Sequence, residues 1–559
     1  MKLDAFTAAD CTGGTIVSGS PNTLFTGVST DSRTIGEGDL FVALAGERFD
    51  GHAFVSEAFS KGAAGAMVMR DDIRGGGTVI SVDDTLAALG DLAGHVRSRY
   101  RPVVVGITGS AGKTTTKELC ASILSLEGPC LKTEKNYNNL IGVPLSVLSL
   151  TDEHKFAVIE MGTNRFGEIG RLASIVRPRV AILTNINPVH LSGLRNISGV
   201  VREKQAIFSN TVTNGIAVID PFQDHMNEVV IPGHLTRITY SCTGKADVTL
   251  KKVLVQDLAG TDILMDVSGA EIRTRVPLPG MHNVSNALAA AACALGLNSG
   301  PDVIARGIMD ARFPGMRSEV VIAGPLCIIN DSYNANPASM KAALEMLVSS
   351  PRPYRVAVLG DMLELGGESA HWHEELGKWT ARARIDRLIA TGEMSRVISD
   401  AAIRHGMNPA SVHIARNLEE IIMYLMDVAD RYAAVLVTAS RALHLDEVVD
   451  HLKAVARPCS NTSFTRSIRT LRSSMYSSTS PSGPSTRLSP RSSSVYGSAR
   501  GSSGSSPNSS SGSGSTATRR RRTRESPARP PWAASSSSLP SPCPRCCGWT
   551  SPISISGWA

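Results

Sequence analysis

The chain has 559 residues and a formal net charge of +7, a length that exceeds one hydrophobic core and allows roughly three domains of ~150 residues each. The charge is not spread evenly: from Arg457 to Ala559 there are 14 Arg, no Lys and one acid, so this tail holds +13 and the remainder −6. The net charge therefore gives no ground for nucleic-acid binding by the body, and no run approaches the ~18 apolar residues of a membrane span.

In chain order, residues 1–98 read as a small α/β module, with short apolar runs such as Asp39 to Leu44 alternating with helical stretches such as Ala53 to Lys61. The opening MKLDAFTAAD lacks a signal-peptide pattern, and Cys11, Cys120, Cys130, Cys242, Cys293 and Cys327 show no C-x-x-C spacing. A cytoplasmic enzyme with reduced thiols is expected. Gly75 to Gly77 and the segment SRYRP read as boundaries.

Residues 99–315 alternate strand and helix signals, through VVVGIT, FAVIEMG, VAILTNI and GIAVID. Such runs fit the buried parallel strands of a doubly wound sheet with helices on both faces, whose carboxyl edge carries the ligand site. The first run leads into VVVGITGSAGKTTTKE, Val103 to Glu118. Successive N–H groups of a glycine loop at a helix N-terminus cradle phosphate oxygens, here from Gly109, Ser110, Ala111 and Gly112 to Thr115. Lys113 then reaches the β and γ phosphates of a nucleoside triphosphate, and the Thr114 hydroxyl is placed for Mg²⁺. The spacing G-x-x-x-x-G-K-[ST] asks for Gly at position 107, where this chain has Ile107, so the loop is a variant.

Glu160 ends the next strand and faces the phosphate loop, where a carboxylate suits Mg²⁺, a cation that prefers hard oxygen donors. His190, Lys204, His282 and Asn283 are weak signals taken singly, since isolated histidines and helix lysines are usually structural or solvated. Residues 316–456 repeat the alternation with LCIIND, YRVAVLGDM, RLIATG and AAVLVTAS, enough for a second nucleotide-binding-like sheet. Within it, DSYNANP, Asp331 to Pro337, sets a polar loop directly behind an apolar strand, which favours a site over a linker.

Taken in order, these segments make the chain resemble the Mur ligase family, ATP-dependent amide-forming enzymes of peptidoglycan precursor synthesis. The resemblance is carried by STDSRTIGEGDLFVALAGERFDGH (29–52), GITGSAGKTTTKE (106–118), NYNNLIGVPLSVL (136–148), EMGTNRFGEI (160–169), PLPGMHNVSNALAA (277–290), DSYNANPASM (331–340) and LGDMLELG (359–366). It covers about residues 25 to 452, and the last two segments point to the branch that adds D-alanyl-D-alanine.

The resemblance implies an N-terminal UDP-sugar domain (1–98), a central ATP-binding domain (99–315) and a C-terminal ligase domain of dinucleotide-fold type (316–456). It implies ATP and Mg²⁺ as cofactors, and UDP-N-acetylmuramoyl-tripeptide and D-alanyl-D-alanine as partners of a monomer with no nucleic acid and no stable membrane insertion. Thr114 and Glu160 then correspond to ligands of the ATP-side Mg²⁺, and His190 to a ligand of a second metal. Lys204 corresponds to a lysine carbamylated by CO₂. His282, Asn283 and Asn286 correspond to adenine contacts, and Arg317 and Asp331 to ATP contacts from the C-terminal domain. Asp31, Ser32, Arg33 and Gly46 fall in the UDP-sugar segment, Asn138 and Asn139 in a substrate segment, and Tyr333, Asn334 and Asn336 where the second substrate enters.

Three departures from the family pattern stand out. HLSGL (190–194) lacks an acid, Gln205-Ala206 replaces Gly-Glu, and Thr438-Ala439 replaces Lys-Gly before Ser440-Arg441. Two other readings remain open at this point: a sister ligase adding a diamino acid at the preceding step, and a catalytically weak binding protein.

The tail, 457–559, is dominated by Ser, Arg, Pro and Gly and cannot bury enough apolar surface to offset ordering entropy, so disorder is expected. Arg519 to Arg522 suit an anionic polymer, and Cys543, Cys546 and Cys547 suit half a zinc site without a partner pair. An out-of-frame translation of GC-rich DNA yields the same Arg, Ser, Pro and Gly bias without Lys. The coding DNA beyond codon 457 is then expected to resume an ordinary protein pattern in another frame; an intact, robust frame through Ala559 excludes it.

Overall fold

The computed structural model describes residues 3–456 except 47, 48, 71, 74 and 75. The expected disorder of the tail, its arginine run and its cysteines lie outside the described residues. Among the described residues the chain builds three main sheets, each flanked by helices.

The first has five strands in the order Thr15–Ser18, Thr78–Ser81, Gly65–Val68, Asp39–Val42 and Gly27–Ser29, parallel except at the first pair. Gly76 and Gly77 lie inside this sheet, in the connection between two neighbouring parallel strands, and so do not mark a boundary. The helical stretch expected at Ala53 to Lys61 divides into a 3₁₀ turn, Gly51–Phe54, and a helix, Val55–Ser60.

The central sheet has nine strands. Its parallel part runs Cys130–Lys132, Phe156–Glu160, Val103–Thr108, Val180–Leu183, Ile216–Ile219 and Thr236–Ser241. Successive residues point to opposite faces, and both faces are covered. Val104, Ala157, Ile159, Ala181 and Leu183 enter one core, while Val105, Ile107, Val158, Val180 and Ile182 enter the other. The strand Val248–Asp257 continues the sheet in parallel, and Gly260–Val267 and Ala270–Val276 close it as an antiparallel wing. The last two strands alternate buried with more exposed residues and Val248–Asp257 is mostly exposed or half-buried, patterns that a search for continuous apolar runs passes over.

The third sheet runs Glu319–Ala323, Leu326–Asn330, Ala433–Thr438, Tyr354–Leu359, Arg387–Thr391 and Val412–Ala415, parallel after the first pair. It carries one core on each face.

The helix Thr85–Arg99 joins the first two sheets. Asp84 caps it, its carboxylate accepting from the N–H groups of Leu86 and Ala87 at 2.7 and 3.0 Å. Its buried Leu89, Leu92 and Val96 belong to a core that contains both Phe25 and Leu40 of the N-terminal layer and Leu172 and Ile175 of the central helix Glu168–Val176. The two layers therefore share apolar packing across the segment SRYRP. Leu92→Ala is expected to cost about 3 kcal/mol, the scale for truncating a buried leucine, and to lower the urea midpoint of both layers together, read by tryptophan-independent circular dichroism.

Candidate active site

The strand Val103–Thr108 is paired on both sides and ends in the phosphate loop. Ile107 still lies within this strand, opposite Glu160 and Ile182, so the loop begins two residues later, at Gly109. Gly109 and Gly112 have φ of 151° and 79°, a region that side chains rarely adopt. A Cβ on Gly109 would strike Thr184 Oγ1, and one on Gly112 would strike Asn286 Oδ1. Close approach as well as conformation thus requires glycine at both positions.

The loop is held from the next strand end. Thr184 Oγ1 donates to the Ala111 carbonyl at 2.6 Å, and Asn185 Oδ1 accepts from Ala111 N–H at 2.8 Å. Ser110 Oγ donates to the Asn187 carbonyl and accepts from Asn187 N–H, at 3.0 and 2.8 Å. Tyr240, fully buried, donates its hydroxyl to the Thr184 carbonyl at 3.0 Å. Asn185 and Asn187 were not legible as site residues, since polar residues after a buried strand carry no fixed spacing to a phosphate loop.

Two lysines converge on one oxygen. Lys113 Nζ and Lys204 Nζ both donate to the Gly109 carbonyl, at 2.8 and 3.0 Å. Burial pushes the Lys204 ammonium well below the ordinary lysine range, the nearby Lys113 lowers it further, and Glu203 partly opposes them. Lys113 is likewise lowered by burial, with Glu160 opposing. Glu203, also buried, accepts from the N–H groups of Gly167 and Ile169, both at 2.7 Å, at the start of the helix Glu168–Val176. A buried carboxylate thus stands just before Lys204 in sequence, held at the start of a neighbouring helix.

Glu160 is 2% exposed. Its carboxylate accepts from Thr114 Oγ1 and from Asn138 Nδ2, both at 2.8 Å, so each oxygen is held. A hydroxyl and a carboxylate side by side are the hard oxygen donors that suit Mg²⁺. Among the described residues no group of three or more His, Cys, Asp or Glu gathers as a metal cage. Asn139 does something more local: its Oδ1 accepts from Gly142 N–H at 2.8 Å, at the start of the helix Gly142–Leu148.

His190 has φ 53°, and its Nδ1 is bonded to Glu364 Oε2 of the third sheet's layer. This bond lowers the Glu364 carboxyl below its ordinary range. Ser192 N–H also donates to the Glu364 carbonyl at 3.2 Å. His190 is thus tied to a carboxylate 174 residues away, a distance no local motif spans.

On the other side of the loop, Gly280 (φ 94°) starts the alanine-rich helix Met281–Gly296. Asn283 Nδ2 donates to the Pro279 carbonyl at 2.8 Å, and Asn286 Oδ1 accepts from Thr116 Oγ1 at 3.4 Å. His282 is pushed down to about 4 by burial. From the third layer, the Arg317 guanidinium lies 3.8 Å from the Tyr333 ring centroid, and its Nε is buried without a partner. Asp331 accepts from Ser318 N–H at 2.8 Å and is raised by burial. Asn336 caps the helix Pro337–Ser349 reciprocally with Ser339, so its Oδ1 is occupied.

One cleft of about 1130 Å³ gathers Ser110 to Thr115, Asn138, Asn139, Glu160, His190, His282, Asn283, Asn286, Arg317, Asp331, Tyr333, Asn334 and Asn336. Glu364 and Arg441, which the sequence did not single out, line it too. Lys204 lies behind the loop, 1% exposed, and does not line the cleft. Asp31, Ser32, Arg33 and Gly46 do not line it either. Asp31 and Arg33 form a mutual ion pair at 2.7 Å, and Lys61 Nζ donates to the Ser32 carbonyl at 3.0 Å.

A phosphate loop with its lysine, hydroxyl and carboxylate, facing a second α/β layer across a cleft, defines a nucleotide-dependent enzyme of two facing halves. The chain belongs to the Mur ligase family. Residues 24–97 match the model described as Mur ligase family, catalytic domain, residues 107–294 the Mur ligase middle domain, and residues 316–441 the Mur ligase, glutamate ligase domain. The UDP-N-acetylmuramoyl-tripeptide--D-alanyl-D-alanine ligase of Escherichia coli is 37% identical over 76% of this chain and 93% of that protein. The protein of the same name from Bacillus subtilis is 34% identical over 77% and 93%. Among solved structures, MurF from Acinetobacter baumannii superposes with a TM-score of 0.74 at 32% identity, covering 81% of this chain and 99% of that one. MurF ligase from Thermotoga maritima in complex with ADP gives 0.69 at 26%, covering 77% and 97%.

His282 carries a consequence for pH. Its folded value of about 4 lies below the ordinary 6.5, so between those pH values the unfolded chain takes up a proton that the folded chain refuses. Stability then falls as pH drops from 6.5 to 4. Denaturant melts of His282→Gln are expected to lose up to about 3 kcal/mol of that acid sensitivity.

Proposed function

We propose that the chain is the ATP-dependent, ADP-forming ligase that joins D-alanyl-D-alanine to UDP-N-acetylmuramoyl-tripeptide, giving the pentapeptide precursor of peptidoglycan. The observation that carries this is the single cleft in which the phosphate loop faces the segments DSYNANP and LGDMLELG, through Asp331, Tyr333, Asn334 and Glu364. The shared name of the relatives that match over nine-tenths of their length supports the dipeptide step over the diamino-acid step.

The reaction needs coupling because a carboxylate is a poor electrophile in water. The terminal carboxylate of the tripeptide attacks the γ phosphorus of ATP, ADP leaves, and an acyl phosphate results. The free amine of the dipeptide then attacks the acyl carbon, the amine proton is lost, and phosphate departs through a tetrahedral intermediate. Positioning and charge neutralisation provide most of such catalysis. Lys113, at the mouth of the loop, supplies positive charge to the β and γ phosphates, and the loop N–H groups hold their oxygens. Mg²⁺ held by Thr114 and Glu160 would offset the charge that builds on the phosphates. Asn138 fixes the Glu160 carboxylate for that task.

His282, Asn283 and Asn286 hold the adenine side, with Arg317 and Asp331 closing over ATP from the third layer. The N-terminal layer, 1–98, grips the UDP-sugar through Asp31, Ser32, Arg33 and Gly46; Asn138 and Asn139 lie along the path of the peptide. A substrate with a nucleotide at one end and a peptide carboxylate at the other accounts for a grip site outside the cleft. Residues 99–315 serve ATP, and 316–456 admit the amine at Tyr333, Asn334 and Asn336.

Lys204 is carbamylated in the working enzyme. Two physical observations favour this: burial pushes the Lys204 ammonium well below the ordinary lysine range, which eases loss of its proton, and Lys113 shares its carbonyl partner. Attack of the neutral Nζ amine on CO₂ with loss of one proton gives a carbamate anion, which Lys113 attracts and which would offer an oxygen donor to a second cation beside His190. The protein works as a monomer in the cytoplasm, since one copy supplies the whole cleft, and needs no nucleic acid. Among the described residues no helix is long and apolar enough to cross a membrane.

Phosphate release is expected only when ATP, the UDP-tripeptide and D-alanyl-D-alanine are all present. Lys113→Ala and Lys204→Ala should each lower kcat by about 100-fold or more, the scale for removing a group that stabilises transferring charge. Release indifferent to the dipeptide would sink the assignment.

A further inference from the structure

The second substrate is a zwitterion. Its amine must reach the acyl carbon, so its carboxylate has to be held farther away, by a cation of the third layer. The cations and histidines that line the cleft are Lys113, Arg317, Arg441, His190, His282 and His444. Lys113 lies on the Gly109 carbonyl, His190 on Glu364, and Arg317 over the Tyr333 ring. Arg441 differs from these. Its side chain is 47% exposed, and its contacts run through Nη1, to Asp446 Oδ1 at 2.9 Å and Met316 Sδ at 3.1 Å. A guanidinium has five N–H donors in a rigid fork, so a fork anchored at one corner remains able to receive a carboxylate.

Its place in the fold fits that task. Arg441 follows Ala433–Thr438, a strand lying between Leu326–Asn330 and Tyr354–Leu359. The carboxyl ends of these three strands bring together the loops of Asp331, Arg441 and Glu364, the edge at which open α/β sheets bind ligands. Ser440 ties the loops to one another: its N–H donates to the Asp361 carbonyl at 3.0 Å, and its Oγ accepts from Leu363 N–H at 2.9 Å. Leu363 is followed by Glu364, which touches His190 of the central layer. The Arg441 loop is therefore fixed in register with the residues around the acyl phosphate. With Thr438 and Ala439 carrying no charge, Arg441 is the cation this strand end offers.

We propose that Arg441 is the carboxylate anchor for the incoming dipeptide, a specificity-determining residue for a D-alanyl-D-alanine-type substrate with a free C-terminus. The proposal rests on the ligase reading above. The test uses the full chain with ATP and UDP-N-acetylmuramoyl-tripeptide, and compares D-alanyl-D-alanine with its C-terminal amide in wild type, Arg441→Gln and Arg441→Lys. Wild type is expected to prefer the acid by about 50-fold in kcat/KM, the scale of a lost charge-assisted pair. Arg441→Gln should lose that preference through KM for the dipeptide, and Arg441→Lys should keep part of it. Trapping of the acyl phosphate with hydroxylamine, measured without dipeptide, should be unchanged, which also reports an intact fold. If Arg441→Gln still prefers the acid, or if its defect falls on KM for ATP, the anchor assignment is overturned while the ligase reading stands. Should Arg441→Gln fail to fold, full retention of the preference with a raised KM for ATP in Arg441→Lys overturns it equally. A wild-type protein that releases no phosphate with either dipeptide overturns the ligase reading and the anchor with it.

Discussion

The carbonyl oxygen of Gly109 is the point on which the site depends, because two lysines donate to it from different directions. Lys113 belongs to the helix that follows the phosphate loop, and Lys204 to the separate helix Ile197–Ser209. Like charges in a site largely removed from water repel strongly, so their approach is sustained only by what surrounds them. Glu160 opposes the effect at Lys113 and Glu203 at Lys204. The two carboxylates are themselves held, Glu160 by Thr114 and Asn138 and Glu203 by the N–H groups of Gly167 and Ile169. The resting protein thus stores an electrostatic demand for anions on both sides of one loop.

That demand explains why the loop needs such firm support. Thr184, Asn185 and Asn187 hold Ser110 and Ala111 from the neighbouring strand end, and the glycines permit the approach. The third layer completes the cleft from the opposite side. Its Glu364 supplies His190 with a carboxylate, and its Arg317 lies close enough to lower Lys113 further.

The phosphate loop was legible because its physics is local: strand, glycines, lysine, hydroxyl and helix onset lie within sixteen residues. Glu160 was legible because a strand ending in an acid at the same sheet edge has few other uses. Ile107, which seemed a defect in the motif, is a strand residue that shifts the start of the loop to Gly109. Lys204 became visible only through family resemblance, since nothing in SGVVREKQAIF distinguishes it from a solvated helix lysine. The pairing of His190 with Glu364 and the reciprocal cap of Asn336 were not legible. The first joins distant segments, and the second gives a motif residue a local duty. The antiparallel wing was missed because its strands are half exposed, so their apolar residues come singly and not in runs.

The buried hydroxyl of Tyr240 gives that wing a connection to the chemistry. Tyr240 belongs to the strand that precedes the wing, its hydroxyl bonds to the Thr184 carbonyl, and the Thr184 hydroxyl bonds to the Ala111 carbonyl in the phosphate loop. A line of bonds therefore runs from the strand Thr236–Ser241 to the loop. Residues along such a line do not tolerate change independently, because a shift at one donor moves the acceptor of the next. The strand beside the wing and the loop therefore act as one mechanical unit, and whatever moves the Tyr240 hydroxyl moves the phosphate loop with it.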